Sequence, residues 1–369
     1  MKTAFVGLPC DIEALRKIEA LVDQEWKKNL NLQIGLFCRE NWAYTCFRAL
    51  VEDDFGVKLN DVDKFDIKKK NIIAYINGEK REIPLEKSKP YVRIGCQVCI
   101  DFTAELADVS IGAVGTPPKW STVITRSKKG QELVDKAAKE GYIELKPIEE
   151  VKPGVSLIRK IADEKKKENL AEANRRNKIG ITPLHIKTLG EKNLEKIKKA
   201  AEGKDFFALE RDVIDAGACI SCGACEAVCP DHCVKVIDQR PELSNECSKE
   251  KCFECYLACP RTSLPQLLFE EMIFNGTKLV QGIGKCLNIY AARAADTHIH
   301  EKGQDGGVVT ALLTYALDKG IIDEVISVGK GPEPWKPTPY VSTVANDLKR
   351  HSGTIYSHST SIPKLRYKE

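Results

Sequence analysis

Short apolar runs followed by amphipathic stretches recur along the chain and set the expected architecture. "TAFVGLPCDIEALRKI" reads as a short apolar strand, a Gly-Leu-Pro-Cys turn and a helix beginning near Asp11. "LNLQIGLFCREN" repeats that organisation and places Cys38 just past a strand. "ADVSIGAVGTPPKWSTVITRSKKG" predicts a strand, a Gly/Pro loop carrying Trp120 and Ser121, and a second strand. Residues 129 to 205 read mostly as charged helix interrupted by Pro147, Pro153 and Pro183. Within them, "IRKIADEKKKENLAEANRRNK" is expected to be a solvated helix face rather than a surface for acidic partners. "EKGQDGGVVTALLTYALDKGIIDEVISVGKG" then predicts a polar glycine loop, an apolar helix and a strand from about Asp323. The last strand-loop unit stops at "LRYKE" while the chain opens into "KTAFVGLPC", so the two ends look like neighbouring pieces of one α/β domain.

A length of 369 residues leaves room for two or three domains. Lys and Arg exceed Asp and Glu by 57 to 53, which gives no reason to expect a nucleic-acid or anionic-membrane surface. No apolar run approaches the roughly 20 residues needed to span a bilayer. "MKTAFVGLPCD" also lacks the features of a secretory signal, so the expectation is a cytoplasmic protein without direct membrane insertion. The 15 cysteines change the picture more. Most stand at short metal-ligand spacings in a large chain without an export signal, so they are expected to be thiolate ligands rather than disulfides.

Cys219, Cys222, Cys225 and Cys229, followed by Pro230, form the bacterial iron-sulfur run C-x2-C-x2-C-x3-C-P. Cys247, Cys252, Cys255 and Cys259 follow, again with proline next, at Pro260. Two-cluster ferredoxins exchange the last cysteine of each run. One 4Fe-4S cluster is therefore assigned to Cys219, Cys222, Cys225 and Cys259, and another to Cys229, Cys247, Cys252 and Cys255. Structural zinc also takes four thiolates, but does not explain two consecutive runs ending in Cys-Pro. Cys233 falls outside both quartets and is read as a buried or spare thiol. Cys10, Cys38, Cys96 and Cys99 sit on separate loops that together supply a third quartet for a cluster, with zinc or buried free thiols as the alternatives. Cys46 and Cys286 lie in segments where packing is the expected role.

Gly306 and Gly307 before Val308 would let phosphate oxygens approach free N–H groups at a helix start, although glycines also make ordinary caps. Neither G-x-G-x-x-G nor a P-loop occurs. Trp120 and Ser121 could stand beside a flat heterocycle. "SGTIYSHSTSIPKL" adds Tyr356 and His358 as possible ligand contacts or ordinary surface residues.

Together, "GLPC", "GLFCRENW", "GCQVCIDFTAELADVS", "KWSTVITR", "GQDGGVVTALLTYALDKG" and "GTIYS" resemble the beta subunits of coenzyme F420-reducing hydrogenases and the wider F420 hydrogenase/dehydrogenase beta-subunit family. The resemblance covers about residues 1 to 183 and 215 to 369. It implies an FAD-binding α/β domain, a nearby 4Fe-4S cluster at Cys10, Cys38, Cys96 and Cys99, and hydride exchange with coenzyme F420. FAD would then stand at Gly306, Gly307 and Thr310, with Trp120 and Ser121 nearby. The expected fold is an α/β flavin domain assembled from N- and C-terminal segments, with an inserted ferredoxin-like α+β module that holds two of the three clusters. Residues 1–183 would be the family's C-terminal part, 184–214 a helical linker, 215–264 the module and 265–369 the family's N-terminal part. This order is reversed from the family's own: it is either a circular permutation, the expectation here, or a joining of incomplete rearranged pieces.

The implied activity is an F420-dependent oxidoreductase subunit, most naturally of an F420-reducing hydrogenase. FAD would take a hydride from reduced F420, and single electrons would leave through the clusters to another redox subunit. An F420H2 dehydrogenase module feeding a different oxidoreductase is the alternative enzyme. A non-catalytic iron-sulfur carrier with an incomplete flavin domain is the alternative without enzyme activity.

Overall fold

The computed structural model describes residues 1–68, 70–247, 252–274 and 276–367. The undescribed residues 248–251 fall inside the second cysteine run, and 368–369 end the last expected domain.

An eight-stranded mixed sheet organises the chain. In chain order its strands are β1 (Thr3–Gly7), β2 (Leu30–Leu36), β3 (Val109–Gly112), β4 (Ser121–Thr125), β5 (Ile143–Pro147), β6 (Asn288–Ala294), β7 (Glu324–Lys330) and β8 (Pro337–Ser342). Their spatial order is β8-β7-β1-β2-β3-β4-β6-β5. β7, β1, β2 and β3 run parallel, and the remaining pairs are antiparallel. β1 therefore lies between β2 and β7, with Thr3 opposite Glu324 and Phe5 opposite Ile326, so segments from the two ends of the chain build one sheet. The Lys2 carbonyl accepts the Asp323 N–H at 2.8 Å and extends that junction. The edge strand β5 lies in the stretch expected to be helical. "IELKP" is too short and too apolar at Ile143 to continue the preceding charged helix, and it pairs with β6.

Alternation along β1 sends its side chains into two cores, as a period of two requires. Ala4 and Val6 join the core made by β2, the helix α2 (Lys128–Lys139) and the apolar helix Val308–Asp318. Phe5 faces the other way, into the core shared by α1 (Pro9–Leu21) and the cysteine-rich unit. Ile197, Ala201, Phe206 and Leu209 belong to this second core, so the expected linker at 184–214 is packed structure.

α1 starts cleanly because Pro9 stands in its first turn and the Asp11 carboxylate accepts the Leu8 N–H at 2.9 Å. Buried on nearly every side, it must pair each polar residue that it carries. Glu13 pairs with Arg261 at 3.3 Å, Arg16 with Asp108 at 3.3 Å, and Lys17 donates to the Cys259 carbonyl and to Thr262.

Asp108 ties this frame together. It accepts the Gln33 N–H at 2.9 Å and the Ser127 hydroxyl at 2.7 Å, and pairs with Lys129 at 3.1 Å. Burial pushes its carboxyl up, but Arg16, Lys129 and these hydrogen bonds outweigh burial and hold it below the ordinary value. A depressed native pKa gives stability that is present above the unfolded value of about 3.9 and is lost as pH falls through the native one. Asp108→Asn is expected to cost about 3 kcal/mol at neutral pH by taking from buried Arg16 one of its two carboxylate partners, the other being Glu19 at 2.9 Å, and from Lys129 its partner. Anaerobic denaturant titrations at pH 7 and below pH 4 check this, because the gap between variant and parent should narrow in acid.

Candidate functional site

Four cysteines from separate loops converge beyond the carboxyl ends of β1 and β2. Cys10 is in the first turn of α1, Cys38 follows β2, and Cys96 and Cys99 flank the end of the short turn Ile94–Val98. All four line one enclosed cavity together with Arg93, Lys165 and Arg261. Burial drives the Cys10 thiol well up, reinforced by Asp11 and Cys99, and pushes Cys38 to about 12 against the opposing pull of Lys165. A thiolate in such a place needs a metal or a cation. The site offers four sulfurs and, on Arg261, two buried nitrogens, Nε and Nη2, without a hydrogen-bond partner.

Tetrahedral zinc would hold four thiolates about 3.8 Å apart, given Zn–S bonds near 2.3 Å. Among the described residues, the group of three or more Cys, His, Asp or Glu ligand atoms within 4.8 Å of one another is Cys10, Asp11 and His358.

A cavity of about 830 Å³ lies on the other side of a thin wall, within the usual range for organic ligands. It opens at the carboxyl ends of β1, β2 and β3, where open α/β sheets place their ligands. Leu8, Asn41 and His358 line both this cavity and the cysteine cavity. His358 Nε2 stands 3.4 Å from Asp11, and its Nδ1 has no partner.

The residues expected at the flavin divide between lining and support. Ser121, Gly307 and Thr310 line the large cavity, as do Tyr356 and His358. Gly306 stands behind them: its N–H donates to Ser121 Oγ at 3.1 Å, and its carbonyl accepts the Ala294 N–H at 2.7 Å. Trp120 is outside the lining, with Lys146 and Arg293 about its ring at 4.7 and 4.9 Å. The two cations come from the neighbouring strands β5 and β6.

Gly307 caps the helix Val308–Asp318 at φ 67°, and a Cβ there would stand 2.7 Å from the Ile299 carbonyl. Gly307→Val is expected to destabilise the chain by about 1–2 kcal/mol through left-handed strain alone. Denaturant unfolding of the purified variant against the unaltered chain checks this.

In the cysteine-rich unit, the neighbours that raise Cys222 and Cys225 beyond burial include Cys219 and Cys259. Those acting on Cys255 are Cys252, Cys229 and Cys247. Cys255 also acts on Cys225, so the two runs of cysteines lie close together. Gly223, at φ 81°, starts the short helix Ala224–Val228 and admits Pro363 and Thr360, whose side chains would lie 2.6 Å from an added Cβ. Cys233 is buried, with its sulfur 3.3 Å from that of Cys229. Cys46 lies on the helix Tyr44–Ala49, and Cys286 is buried on the short strand Gly284–Cys286.

The N-terminal quartet adjoins the first of these groups directly. Arg93 Nη2 donates to Ser221 Oγ at 2.8 Å, and Gly95 approaches so closely that a Cβ would stand 2.3 Å from the Cys219 carbonyl.

The charged helix α3 (Val155–Lys178) contributes residues that the sequence pattern hid. Lys165 donates to the carbonyls of Cys38 and Asp101, both at 2.6 Å. Asn169 donates to the carbonyls of Cys96 and Cys99 at 2.9 and 2.5 Å, and Arg176 donates to Ile94 and Gly217. This face is not solvated, which corrects the sequence expectation. Ile158, Ala162 and Ala173 give its spacing, but charged neighbours obscure Lys165 and Arg176 within it.

Comparison with known proteins matches the two parts separately. The profile for the C terminus of the coenzyme F420 hydrogenase/dehydrogenase beta subunit fits residues 1–151, and the profile for the N-terminal region of that beta subunit fits 289–366. Coenzyme F420 hydrogenase subunit beta of Methanococcus voltae is 36% identical over 181 residues, covering 49% of this chain and 65% of that protein. Coenzyme F420-dependent sulfite reductase of Methanocaldococcus jannaschii is 38% identical over 164 residues, covering 41% of this chain and 26% of that protein. A chain from the F420-reducing NiFe hydrogenase complex of Methanosarcina barkeri is 38% identical, covering 49% of this chain and 63% of that one, with a TM-score of 0.47. The chain thus spans slightly less than two thirds of these hydrogenase relatives.

Proposed function

Since this chain belongs to the coenzyme F420 hydrogenase/dehydrogenase beta-subunit family, with the C-terminal part placed before the N-terminal part, we propose that it passes electrons between coenzyme F420 and a partner redox subunit. The supporting observation is the shared wall: Leu8, Asn41 and His358 border both the large cavity and the four-cysteine cavity. In this reading the large cavity holds FAD, and the three cysteine quartets hold 4Fe-4S clusters. When bound, these groups supply two-electron hydride acceptance and one-electron conduction.

The chain's own task is to position and enclose. Gly307 leaves room at a helix start, Ser121 anchors the loop before it, and Thr310 offers a hydroxyl one turn on. Buried Lys165 offsets negative charge at the cysteine cavity, and the shared wall keeps the two sites in van der Waals reach while restricting water. Among the described residues no helix is long and apolar enough to cross a membrane. The partner in this reading is another subunit of an F420-reducing hydrogenase. The M. jannaschii sulfite reductase supports a second reading, in which the unit feeds a different oxidoreductase.

Anaerobic purification with flavin and iron quantification, followed by viologen reduction with reduced F420, tests the proposal. About one flavin and twelve irons per chain with F420-dependent turnover are expected for three 4Fe-4S clusters. About eight irons, no flavin and no turnover would leave a carrier.

A further inference from the structure

Arg261 follows Cys259-Pro260 in the cysteine-rich unit, yet its side chain lines the cavity of Cys10, Cys38, Cys96 and Cys99. It is 1% exposed. One nitrogen pairs with Glu13 of α1 at 3.3 Å, while Nε and Nη2 have no hydrogen-bond partner. Buried guanidinium donors that find no well-formed hydrogen bond to oxygen or nitrogen are costly unless something in the cavity accepts them, and Cys99 is the side chain in reach. Among the cavity's own groups, Cys99 and Cys10 act on this guanidinium. Its backbone, meanwhile, interacts with Cys259, a member of the other group. One residue thus touches both cysteine sites.

Resting on the functional reading above, we propose that Arg261 bridges two cluster sites as a positioning residue. Its free guanidinium N–H groups donate to sulfur at the N-terminal quartet, and its backbone holds Cys259 of the neighbouring one. Hydrogen bonds and positive charge near sulfur favour the reduced, more negative cluster, so Arg261 raises the reduction potential at the N-terminal site. The contact also fixes the order of sites, with the Cys219/Cys222/Cys225/Cys259 group adjoining the N-terminal quartet. The group containing Cys247, the exposed ligand, faces outward toward a partner.

The test is an anaerobic potentiometric titration followed by electron paramagnetic resonance. The purified full chain is compared with Glu13→Gln/Arg261→Gln, which removes both buried charges together, and with Arg261→Lys, which keeps the charge but loses the fork. The double variant is expected to keep its iron and show a more negative potential for one cluster. Arg261→Lys should fall between, and the signal lost from a Cys247→Ser reference should identify a cluster that does not move. If the double variant loses iron, Arg261→Lys alone must show the negative shift. Unchanged potentials in the variants, or equal shifts of all clusters, would overturn the bridge while leaving the proposed function intact. An unaltered chain with about eight irons would overturn both.

Discussion

Lys165→Met is expected to purify with about four fewer irons than the unaltered chain, because each 4Fe-4S cluster carries four. Methionine replaces the lysine stem as far as Cε and lacks only the terminal nitrogen, so packing along α3 should survive. What disappears is the ammonium that donates to the Cys38 and Asp101 carbonyls at 2.6 Å each. Leaving two buried carbonyls without a donor costs about 1–3 kcal/mol each. The cation also offsets the charge of thiolate sulfur, since Cys38, Cys96 and Cys99 all act electrostatically on Lys165. The loss should be confined to the N-terminal quartet. Iron quantification together with the electron paramagnetic resonance of the remaining clusters checks it: two clusters should persist, and reduced F420 should no longer bleach them.

Gly95→Val should uncouple two cofactor sites that are otherwise intact. The Cβ position at Gly95 lies 2.3 Å from the Cys219 carbonyl and 2.9 Å from that of Ala218. Both obstacles are backbone, so no rotamer change relieves the contact and the loop bearing Cys96 must move away from the loop bearing Cys219. Overpacking of this kind costs about 1–3 kcal/mol. The expected protein retains flavin and most of its iron, but on mixing with reduced F420 its flavin bleaches normally while the clusters of the cysteine-rich unit lag behind. Stopped-flow spectra at flavin and cluster wavelengths separate these phases. Gly190→Val, placed where nothing lies within 4 Å of an added Cβ and the backbone is not left-handed, controls for the effect of valine elsewhere on the chain.

The parts of this site most legible in the sequence were those whose chemistry is local. The Cys-x2-Cys spacings mark sulfur ligands because neighbouring thiolates must reach one centre, and the strand-turn-cysteine pattern put Cys10 and Cys38 at strand ends. Gly307 was visible because a helix start that needs a left-handed residue favours glycine. Long-range contacts left no comparable trace. Lys165 and Arg176 are buried and Asn169 half-buried at positions that a charged helix gives to solvent, and only the loops packed on them assign their role. Arg261 looks like one of many basic residues until the fold brings it against Glu13 of a helix 248 residues earlier. The surroundings of Trp120 were equally illegible. An aromatic beside a Gly/Pro loop suggests stacking on a ligand, yet Lys146 and Arg293, far apart in sequence, take its ring. The strand at Ile143–Pro147 was likewise hidden, since its β identity comes from pairing with β6 rather than from its own propensity.

Reversal of the two family parts raises the question of whether a continuous site survives. Parallel pairing of Thr3–Phe5 with Glu324–Ile326 supplies the connection at the sheet, and the wall of Leu8, Asn41 and His358 draws on both parts. Anaerobic rapid mixing of the purified full chain with reduced F420, monitored by absorbance, bears on this continuity without any intermediary. Flavin bleaching is expected first, followed in the same molecules by bleaching of the iron-sulfur absorbance with no added partner. Flavin that stays oxidised, or flavin that bleaches while every cluster remains oxidised, would contradict a continuous site.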